Sequence, residues 1–155
     1  MMKNQFSILA MIFFAALVMM GCRKDDEVSV PSLAGSWQPT TIKATGTVNG
    51  QQVSQTISAN SCQLKSRVIF NTDGSGVTRN WNDQNGTCTQ STDSNFTFSY
   101  NAQTKALTIT SGGSSSVGTV TSLTNTQLVY SMNSTYDFNG NNVPATLEIT
   151  ANRAQ

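Results

Sequence analysis

L-K-S-R-V-I-F-N-T-D-G, residues 64–74, carries two signals that decide the fold class of this chain. Positions 64, 66, 68 and 70 alternate with the charged side chains Lys65 and Arg67, which is the period of a strand with one buried face. The stretch then ends on Asp73-Gly74, a dipeptide that supplies the positive φ angle of a tight hairpin. It therefore predicts an antiparallel strand and its turn, with a buried face formed by Leu64, Ser66, Val68 and Phe70.

The same alternation recurs along the chain, whereas helix-period runs of roughly ten or more residues do not occur after position 33. It returns in residues 96–100, 107–109, 128–132 and 147–149. Strands at short intervals without intervening helices indicate an all-β, antiparallel sandwich or barrel. The pattern contains about eight strands, a number that suits a small closed barrel, and we therefore predict an antiparallel up-and-down barrel. Turn signals separate these strands: Asn49-Gly50, Asp73-Gly74, Asn85-Gly86, Gly112 to Ser116 and Asn139-Gly140.

The first 21 residues have the composition of a secretory signal helix. Lys3 is followed by an uncharged run of 15 residues, FSILAMIFFAALVMM, from Phe6 to Met20. A helix of that length spans roughly 22 Å, which is short of the ~30 Å hydrocarbon core of a membrane. We therefore predict a signal peptide over residues 1–21.

The end of this segment, Val18-Met19-Met20-Gly21-Cys22, resembles the bacterial lipobox. Met19 and Met20 stand where leucine and a small residue are commoner, while the glycine and the cysteine match. The resemblance implies that the chain is cut before Cys22 and that its thiol is acylated. Two or three acyl chains would anchor the protein stably, because each buried methylene contributes about 0.8 kcal/mol.

Five charged residues follow the cysteine and resemble the lipoprotein export signal of Bacteroidetes. That resemblance implies an outer-membrane protein that faces the cell exterior, with the periplasmic face as the second choice. Residues 22–33 then form an acylated, charged tether, because Pro31 and the absence of alternation favour a linker. The charged residues are Arg23, Lys24, Asp25, Asp26 and Glu27.

Residues 34–155 are long enough for one domain with a single core. From position 33 onward there are six basic and five acidic residues, a net charge of +1. This balance argues against nucleic acid as a partner, because phosphate-driven binding needs clustered positive charge.

The chain has three cysteines and no histidine. If Cys22 is acylated, Cys62 and Cys88 remain in an oxidising compartment, where a disulfide is the default. A nucleophilic or metal-binding thiol pair is the alternative, and the lack of histidine disfavours it. We expect a disulfide.

Several motifs together resemble the lipocalin-like lipoproteins of Bacteroidetes over about residues 33–132. The segment Leu33-Ala34-Gly35-Ser36-Trp37 is similar to the L-x-G-x-W opening of that family, and residues 68–74 are similar to its strand and F-x-x-D-G hairpin. The strand at 107–109 and the segment 122–129 follow in the same order. The chain departs from the family pattern after Met132, where a further hairpin is added. It also lacks the Trp that often precedes the strand at residues 107–109. The resemblance implies a lipid-anchored, lipocalin-like barrel and brings no catalytic motif.

No catalytic, cofactor or metal site is predicted. The five acidic residues of the domain are scattered, and no positioned pair is visible for acid–base chemistry. Residues 71–76 and 137–142 faintly resemble calcium loops, but each offers one carboxylate, whereas calcium takes six to eight oxygen ligands. Both are predicted to be hairpin turns.

Four aromatic residues are candidate ligand or partner contacts: Trp37, Trp81, Tyr100 and Tyr130. Trp37, at the start of the domain, is more readily a plug at the closed end of the barrel than a ligand contact. Trp81 lies among amides near a hairpin tip, where packing at the barrel edge competes with stacking on a sugar or partner.

These observations predict a non-enzymatic protein that binds a small apolar or amphipathic ligand at the mouth of the barrel. The alternative is an interaction or structural module whose barrel is filled and whose loops contact a protein or polysaccharide. The sequence pattern does not determine the oligomeric state.

Overall fold

The computed structural model describes residues 31–155. The predicted signal peptide, Cys22 and the charged run 23–27 lie outside the described residues. No helix within residues 31–155 has the length and hydropathy needed to span a membrane.

The described chain forms eleven strands and a short 3₁₀ helix at Gln63–Lys65. The strands are β1 Gly35–Val48, β2 Gln51–Ser58, β3 Arg67–Phe70, β4 Ser75–Arg79, β5 Trp81–Gln84, β6 Thr87–Gln90, β7 Ser94–Tyr100, β8 Ala106–Ser111, β9 Ser114–Leu123, β10 Gln127–Phe138 and β11 Asn141–Arg153.

Eight of these strands close into an antiparallel barrel. Their order around the ring is β1, β3, β4, β7, β8, β9, β10 and β11, and β11 pairs with β1 to complete it. The closing register runs from Trp37 opposite Arg153 to Gly46 opposite Ala145. The predicted all-β, closed antiparallel barrel is therefore confirmed, with β2 and the β5–β6 hairpin added outside the ring.

The strand that the alternation predicts from Leu64 begins only at Arg67 in the structure. Residues 64–66 are not part of β3, because a helical turn precedes Arg67. The side-chain oxygen of Asn60 accepts hydrogen bonds from the backbone N–H groups of Cys62 and Gln63, at 3.0 and 2.9 Å. This local hydrogen bonding outweighs the alternating pattern over these residues.

Three of the four predicted hairpin dipeptides have positive φ at both residues, whereas in Asp73-Gly74 only the glycine does, at 83°. Asn49, Asn85 and Asn139 have φ angles of 51° to 55°, and each is followed by a glycine with φ of 77° to 88°. Two successive residues with positive φ define the tight turn whose twist matches paired strands. The Asn49 and Asn139 turns lie at the same end of the barrel, because β1 and β10 are both antiparallel to β11 and therefore run in the same direction.

The opposite end of the barrel is closed by Trp37, which is completely buried. Its indole N–H donates a 2.8 Å hydrogen bond to the Leu33 carbonyl, and the Arg153 guanidinium lies 4.2 Å from its ring centroid. Arg153 also donates to the carbonyl groups of Ser32, Ala34 and Asn125. Gly35 has a φ angle of 140°, a backbone conformation that L side chains rarely adopt, and this conformation favours glycine there.

Above this plug, aromatic side chains fill the interior. The rings of Phe96 and Phe98 pack edge-on against Phe70, with centroids 5.4 and 4.8 Å away. The core also contains Leu33, Leu107, Val120, Leu128, Tyr130 and Ala151.

A second, smaller core lies where two long hairpins extend past the ring. The β1–β2 and β10–β11 hairpins continue as a four-stranded sheet in the order β2, β1, β11, β10. Its inner face buries Ala44, Phe138 and Ala145. The Phe138 ring lies directly over Gly46, where a Cβ atom would stand 2.9 Å from it.

Gly76 tests the packing of the main core. A Cβ atom there would collide with the Phe96 ring and stand 2.7 Å from the Ile69 carbonyl oxygen. We expect Gly76→Ala to lower the free energy of unfolding by about 1–3 kcal/mol, because the core is overpacked. The measurement is denaturant unfolding followed by intrinsic fluorescence.

The control is Thr97→Ser on β7, whose side chain is exposed. It should change the free energy of unfolding by no more than about 0.5 kcal/mol. Equal stability of the Gly76→Ala variant and the parent protein would contradict the described packing.

Candidate functional site

The wall of the barrel has a gap beside β1, and the candidate site lies in it. One edge of β1 pairs with β3 only over residues 35–37 and with β2 only over residues 41–48. Between these ladders, the Thr40 carbonyl accepts a hydrogen bond from the Ala59 N–H, and the Gln38 side chain donates to the Leu64 carbonyl. Residues 59–66 and the β5–β6 hairpin therefore cover the gap and form what we call the cap.

A disulfide holds the two parts of the cap together. Cys62 precedes the 3₁₀ helix and Cys88 lies on β6, and the two residues are bonded with a Cα–Cα distance of 5.5 Å. The predicted disulfide is thus confirmed. Closing a loop of 26 residues stabilises a fold by roughly 3–4 kcal/mol on the chain-entropy model.

An ion pair lies at the base of the β5–β6 hairpin. The Arg79 guanidinium donates to the Asp93 carboxylate at 3.0 Å, and the Gln90 side chain donates to the same carboxylate at 3.0 Å. The hydrogen bond from Arg79 is the main cause that lowers the pKa of Asp93. The contact joins the end of β4 to the residue just before β7, so it bridges the two ends of the segment that carries the hairpin.

Trp81 is the aromatic residue of the cap. Its backbone N–H donates a 2.9 Å hydrogen bond to the hydroxyl of Ser66, which is buried. The Lys65 ammonium nitrogen lies 5.1 Å from the ring centroid, within the range of a cation–π contact. These two contacts from the 59–66 segment fix the indole against the gap.

Beneath the indole is an open pocket of about 180 Å³. Ile42 of β1 and Ile57 of β2 are cross-strand neighbours, so their side chains lie on the same face of the sheet. Ile42 is also opposite Ile149 of β11 on that face, and Ile149 packs against the main core. The pocket is therefore the mouth of the barrel, lined by Pro39, Thr40, Thr41, Ile42, Ile57, Ala59, Gln63, Ser66, Asn80, Trp81 and Asn82.

Tyr130 lies deeper in the same cross-strand row. It is opposite Ile149, which is opposite Ile42. Only 8% of its surface is exposed. Burial raises the pKa of Tyr130 to about 12, so the phenol is neutral at physiological pH.

The four predicted aromatic contacts are placed at three different positions. Trp81 lines the mouth and Tyr130 lies in the interior, whereas Trp37 is the buried plug at the closed end. Tyr100 packs against the core near that end and borders a shallow cleft with Pro31 and Lys105. Their roles as contacts stay predictions, and the structure brings none of the other three beside Trp81.

The isoleucines of the mouth were missed by reasoning from sequence. Ile42 and Ile57 flank the Asn49-Gly50 turn at equal distances, so pairing across that turn could have placed them opposite each other. What pattern alone does not reveal is that the cap leaves them accessible: 39% of the Ile57 surface is exposed.

The two loops that faintly resemble calcium sites use their carboxylates in turns. Asp73 accepts hydrogen bonds from the backbone and the hydroxyl of Ser75, at 2.9 and 2.6 Å, and the side-chain contact is the main cause that lowers the pKa of Asp73. Asp137 accepts from the Gly140 N–H at 2.5 Å. Across residues 31–155, no three His, Cys, Asp or Glu side chains cluster closely enough to hold a metal ion.

A closed eight-stranded barrel belongs to the class of small barrels whose interior is either filled by side chains or holds one small ligand. The model of the lipocalin-like domain family matches residues 33–130, which is more than half of the chain. The protein is therefore a member of the lipocalin-like domain family, as the motifs beginning at Leu33 suggested. No curated protein matches the sequence.

Solved structures similar to this chain include lipocalins from mammals. The bovine odorant binding protein in complex with undecanal is 14% identical, with a TM-score of 0.45 over 84% of this chain and 78% of that one. Aphrodisin from the female hamster is 9% identical, with a TM-score of 0.41 over 80% and 76%. A Bacteroides ovatus protein of unknown function is 15% identical, with a TM-score of 0.38 over 78% and 41%.

The buried phenol of Tyr130 predicts a loss of stability at high pH. An unfolded tyrosine titrates at about pH 10, and the folded-state pKa of about 12 is higher. The unfolded state therefore releases its proton first, and the free energy of unfolding falls as the pH rises from about 10 to about 12, by about 2–3 kcal/mol. Unfolding in urea at pH 9 and pH 11.5 measures it.

The matched control is Tyr130→Phe, which has no phenol at this position. The drop in unfolding free energy between the two pH values should be smaller in this variant than in the parent protein. Identical drops would contradict the burial of a neutral phenol at Tyr130.

Proposed function

We propose that this protein binds a small apolar or amphipathic ligand at the mouth of its barrel and is not an enzyme. The observation that carries the proposal is the pocket beneath Trp81, where Pro39, Ile42 and Ile57 form an apolar wall. Ile42 lies in the same cross-strand row as Tyr130 of the main core. Family membership supports it, because lipocalin-like barrels are typically non-enzymatic binders of small ligands.

The volume of the pocket limits what can be enclosed. A dry apolar cavity of about 150 Å³ holds one benzene molecule, and sites for drug-sized ligands measure about 300–1,000 Å³. The pocket, at about 180 Å³, thus encloses one ring or a short alkyl chain. The amides of Gln63, Asn80 and Asn82 lie at its rim, so the rest of an amphipathic ligand can be polar.

A filled-barrel interaction module is the second candidate. It is supported by the packed lower interior, where Trp37, Phe70 and Leu107 are at most 1% exposed. In this case the Trp81 indole would contact a protein or polysaccharide from the rim and no small molecule would enter. In the first candidate function, Ile42 and Ile57 contact a small ligand. In the second, no small molecule reaches these two side chains.

We further propose that the protein is anchored to the outer membrane by acylated Cys22 and faces the cell exterior. The support is the sequence alone: the apolar run to Met20, the cysteine and the charged residues 23–27. The described chain begins at the closed end, where Leu33 contacts Trp37. A tether joined there leaves the pocket at the end of the barrel that points away from the membrane.

Binding can be tested with 1-hexanol, whose six-carbon chain suits the volume of the pocket. In a protein with labelled isoleucine methyl groups, we expect hexanol to shift the Ile42 and Ile57 signals, because both side chains line the pocket. The signal of Ile69, on the outer face of β3, should not move. Trp81→Ala should weaken binding about tenfold, which corresponds to about 1.4 kcal/mol of lost contact.

The control variant is Val117→Ala, which removes an exposed apolar side chain on the outside of the barrel. Its hexanol affinity should equal that of the parent protein. Absence of shifts at Ile42 and Ile57 would reject the ligand-binding proposal and leave the filled-barrel module.

The anchor is tested by Cys22→Ser in the bacterial host. This variant should take up no labelled palmitate and should be released as soluble protein, because the acyl chains are its membrane contact. The parent protein should be degraded when intact cells are treated with protease. Continued lipid labelling of the variant would reject acylation at Cys22, and full protection of the parent would reject display on the exterior.

A further inference from the structure

Strand β2 has one free edge. It is the last strand of its sheet and pairs on the other side with β1 over residues 51–58. Within residues 31–155, no other strand pairs with β2. Every residue of β2 is exposed except Val53, which is half-buried.

The turn before β2 determines which backbone groups point to the free edge. Asn49 and Gly50 form a two-residue turn with positive φ at both positions, so Val48 and Gln51 are a hydrogen-bonded pair. Hydrogen-bonded and non-hydrogen-bonded pairs then alternate along the ladder. The N–H and C=O groups of Gln52, Ser54, Thr56 and Ser58 therefore point away from β1, and none of them bonds elsewhere in residues 31–155.

This edge lacks the features that normally prevent edge pairing. Soluble proteins protect such edges with charged side chains, proline, bulges or short strands. The sequence QQVSQTIS of β2 contains no charge and no proline, and its register with β1 is continuous over eight residues. An exposed edge of this length and composition is able to accept another strand.

We propose that the edge of β2 pairs with the β2 edge of a second copy of this chain, antiparallel and around a two-fold axis at Gln55. In this register the outward-facing groups of all four residues are used: Gln52 pairs with Ser58 of the second copy and Ser54 with Thr56. Four hydrogen-bonded pairs with two bonds each give about eight hydrogen bonds between the copies.

The side chains of β2 match those of a second β2 in the same register. Val53 lies opposite Ile57 of the second copy, and both are β-branched apolar residues on the inner face. They form a non-hydrogen-bonded pair, in which side chains approach most closely. Ser54 lies opposite Thr56 on the outer face, so hydroxyl meets hydroxyl, and Gln55 lies opposite itself, so amide meets amide.

This self-complementarity is the reason for choosing a second copy over an unrelated strand. A two-fold contact uses the same surface on both partners, and the uncharged strand brings no like charges together. The pairing also places Val53 of the second copy beside Ile57, one of two large apolar side chains exposed in the described chain. One strand pair buries less than the ~1,200 Å² of a standard stable interface, so the dimer exchanges rapidly and is best trapped covalently.

The test places one cysteine at the two-fold axis of the full chain. In Gln55→Cys the two thiols face each other in a non-hydrogen-bonded pair with Cα atoms about 4.5 Å apart, within the range of a disulfide. In the control Gln51→Cys, on the same strand and face, the two residues are about 27 Å apart along the strands. Both variants and the parent protein are oxidised in isolated membranes of the host and compared on non-reducing gels.

We expect the disulfide-linked dimer to be at least fivefold more abundant in Gln55→Cys than in Gln51→Cys or the parent protein. A dimer linked through Cys22 would appear equally in both variants and in the parent protein. The dimer yield of the parent protein is therefore subtracted from the yield of each variant. Equal dimer yields in the two variants would overturn the proposal. A Gln55→Cys adduct with a protein of another mass, in place of the dimer, would overturn the choice of a second copy.

A second substitution separates edge pairing from random collision. Ser54→Pro removes an N–H that points to the free edge, and it leaves the ladder between β1 and β2 intact. Added to Gln55→Cys, it should reduce the dimer yield at least threefold while the cooperative thermal unfolding of the protein persists. An unchanged yield in a folded double variant would show that β2 edges do not pair.

Discussion

The closure of β1 against β11 is the constraint on which the rest of this structure depends. The barrel becomes a ring only because residues 37–46 of the first ring strand pair with residues 145–153 of the last. Trp37 and Arg153, which form the first pair of this ladder, also stack and close the end of the barrel. The same two side chains hold Leu33, Ala34 and Asn125 through hydrogen bonds to their carbonyls. The pair that begins the closing ladder therefore also plugs the end of the barrel, and it buries Trp37, the largest side chain of the core.

The length of β1 creates the candidate site. The strand has 14 residues, more than β3 can match, so β3 pairs with its beginning and β2 with its end. The stretch between these ladders includes Pro39, which has no N–H to donate. The chain covers this gap with the cap, and the disulfide between Cys62 and Cys88 fixes the cap in position. The pocket under Trp81 is the space that remains between the cap and the apolar inner face of the sheet.

The two ends of the barrel differ in what they can do. The closed end is filled by aromatic side chains and tied to the start of the domain, so it offers a ligand little space. The other end carries the pocket, the cap and the free edge of β2. A tether at the closed end would direct all three toward the same surroundings. Ligand and second copy would then meet the protein at its distal end.

The sequence by itself determined the fold class, the three asparagine–glycine turns and the pairing of Cys62 with Cys88. Each of these depends on local information, such as the alternation of side chains, the φ preference of a dipeptide or the number of cysteines. The helical turn at Gln63–Lys65 is also local, because the Asn60 side-chain oxygen accepts hydrogen bonds from the N–H groups of Cys62 and Gln63, but the alternating pattern of residues 64–70 concealed it. Tertiary structure alone decided that Trp81 lines the mouth, since its position follows from how distant strands pair around the ring. The alternation of apolar and polar residues could not predict that Ile57 is accessible, because a period of two identifies the face of a strand but not what covers that face.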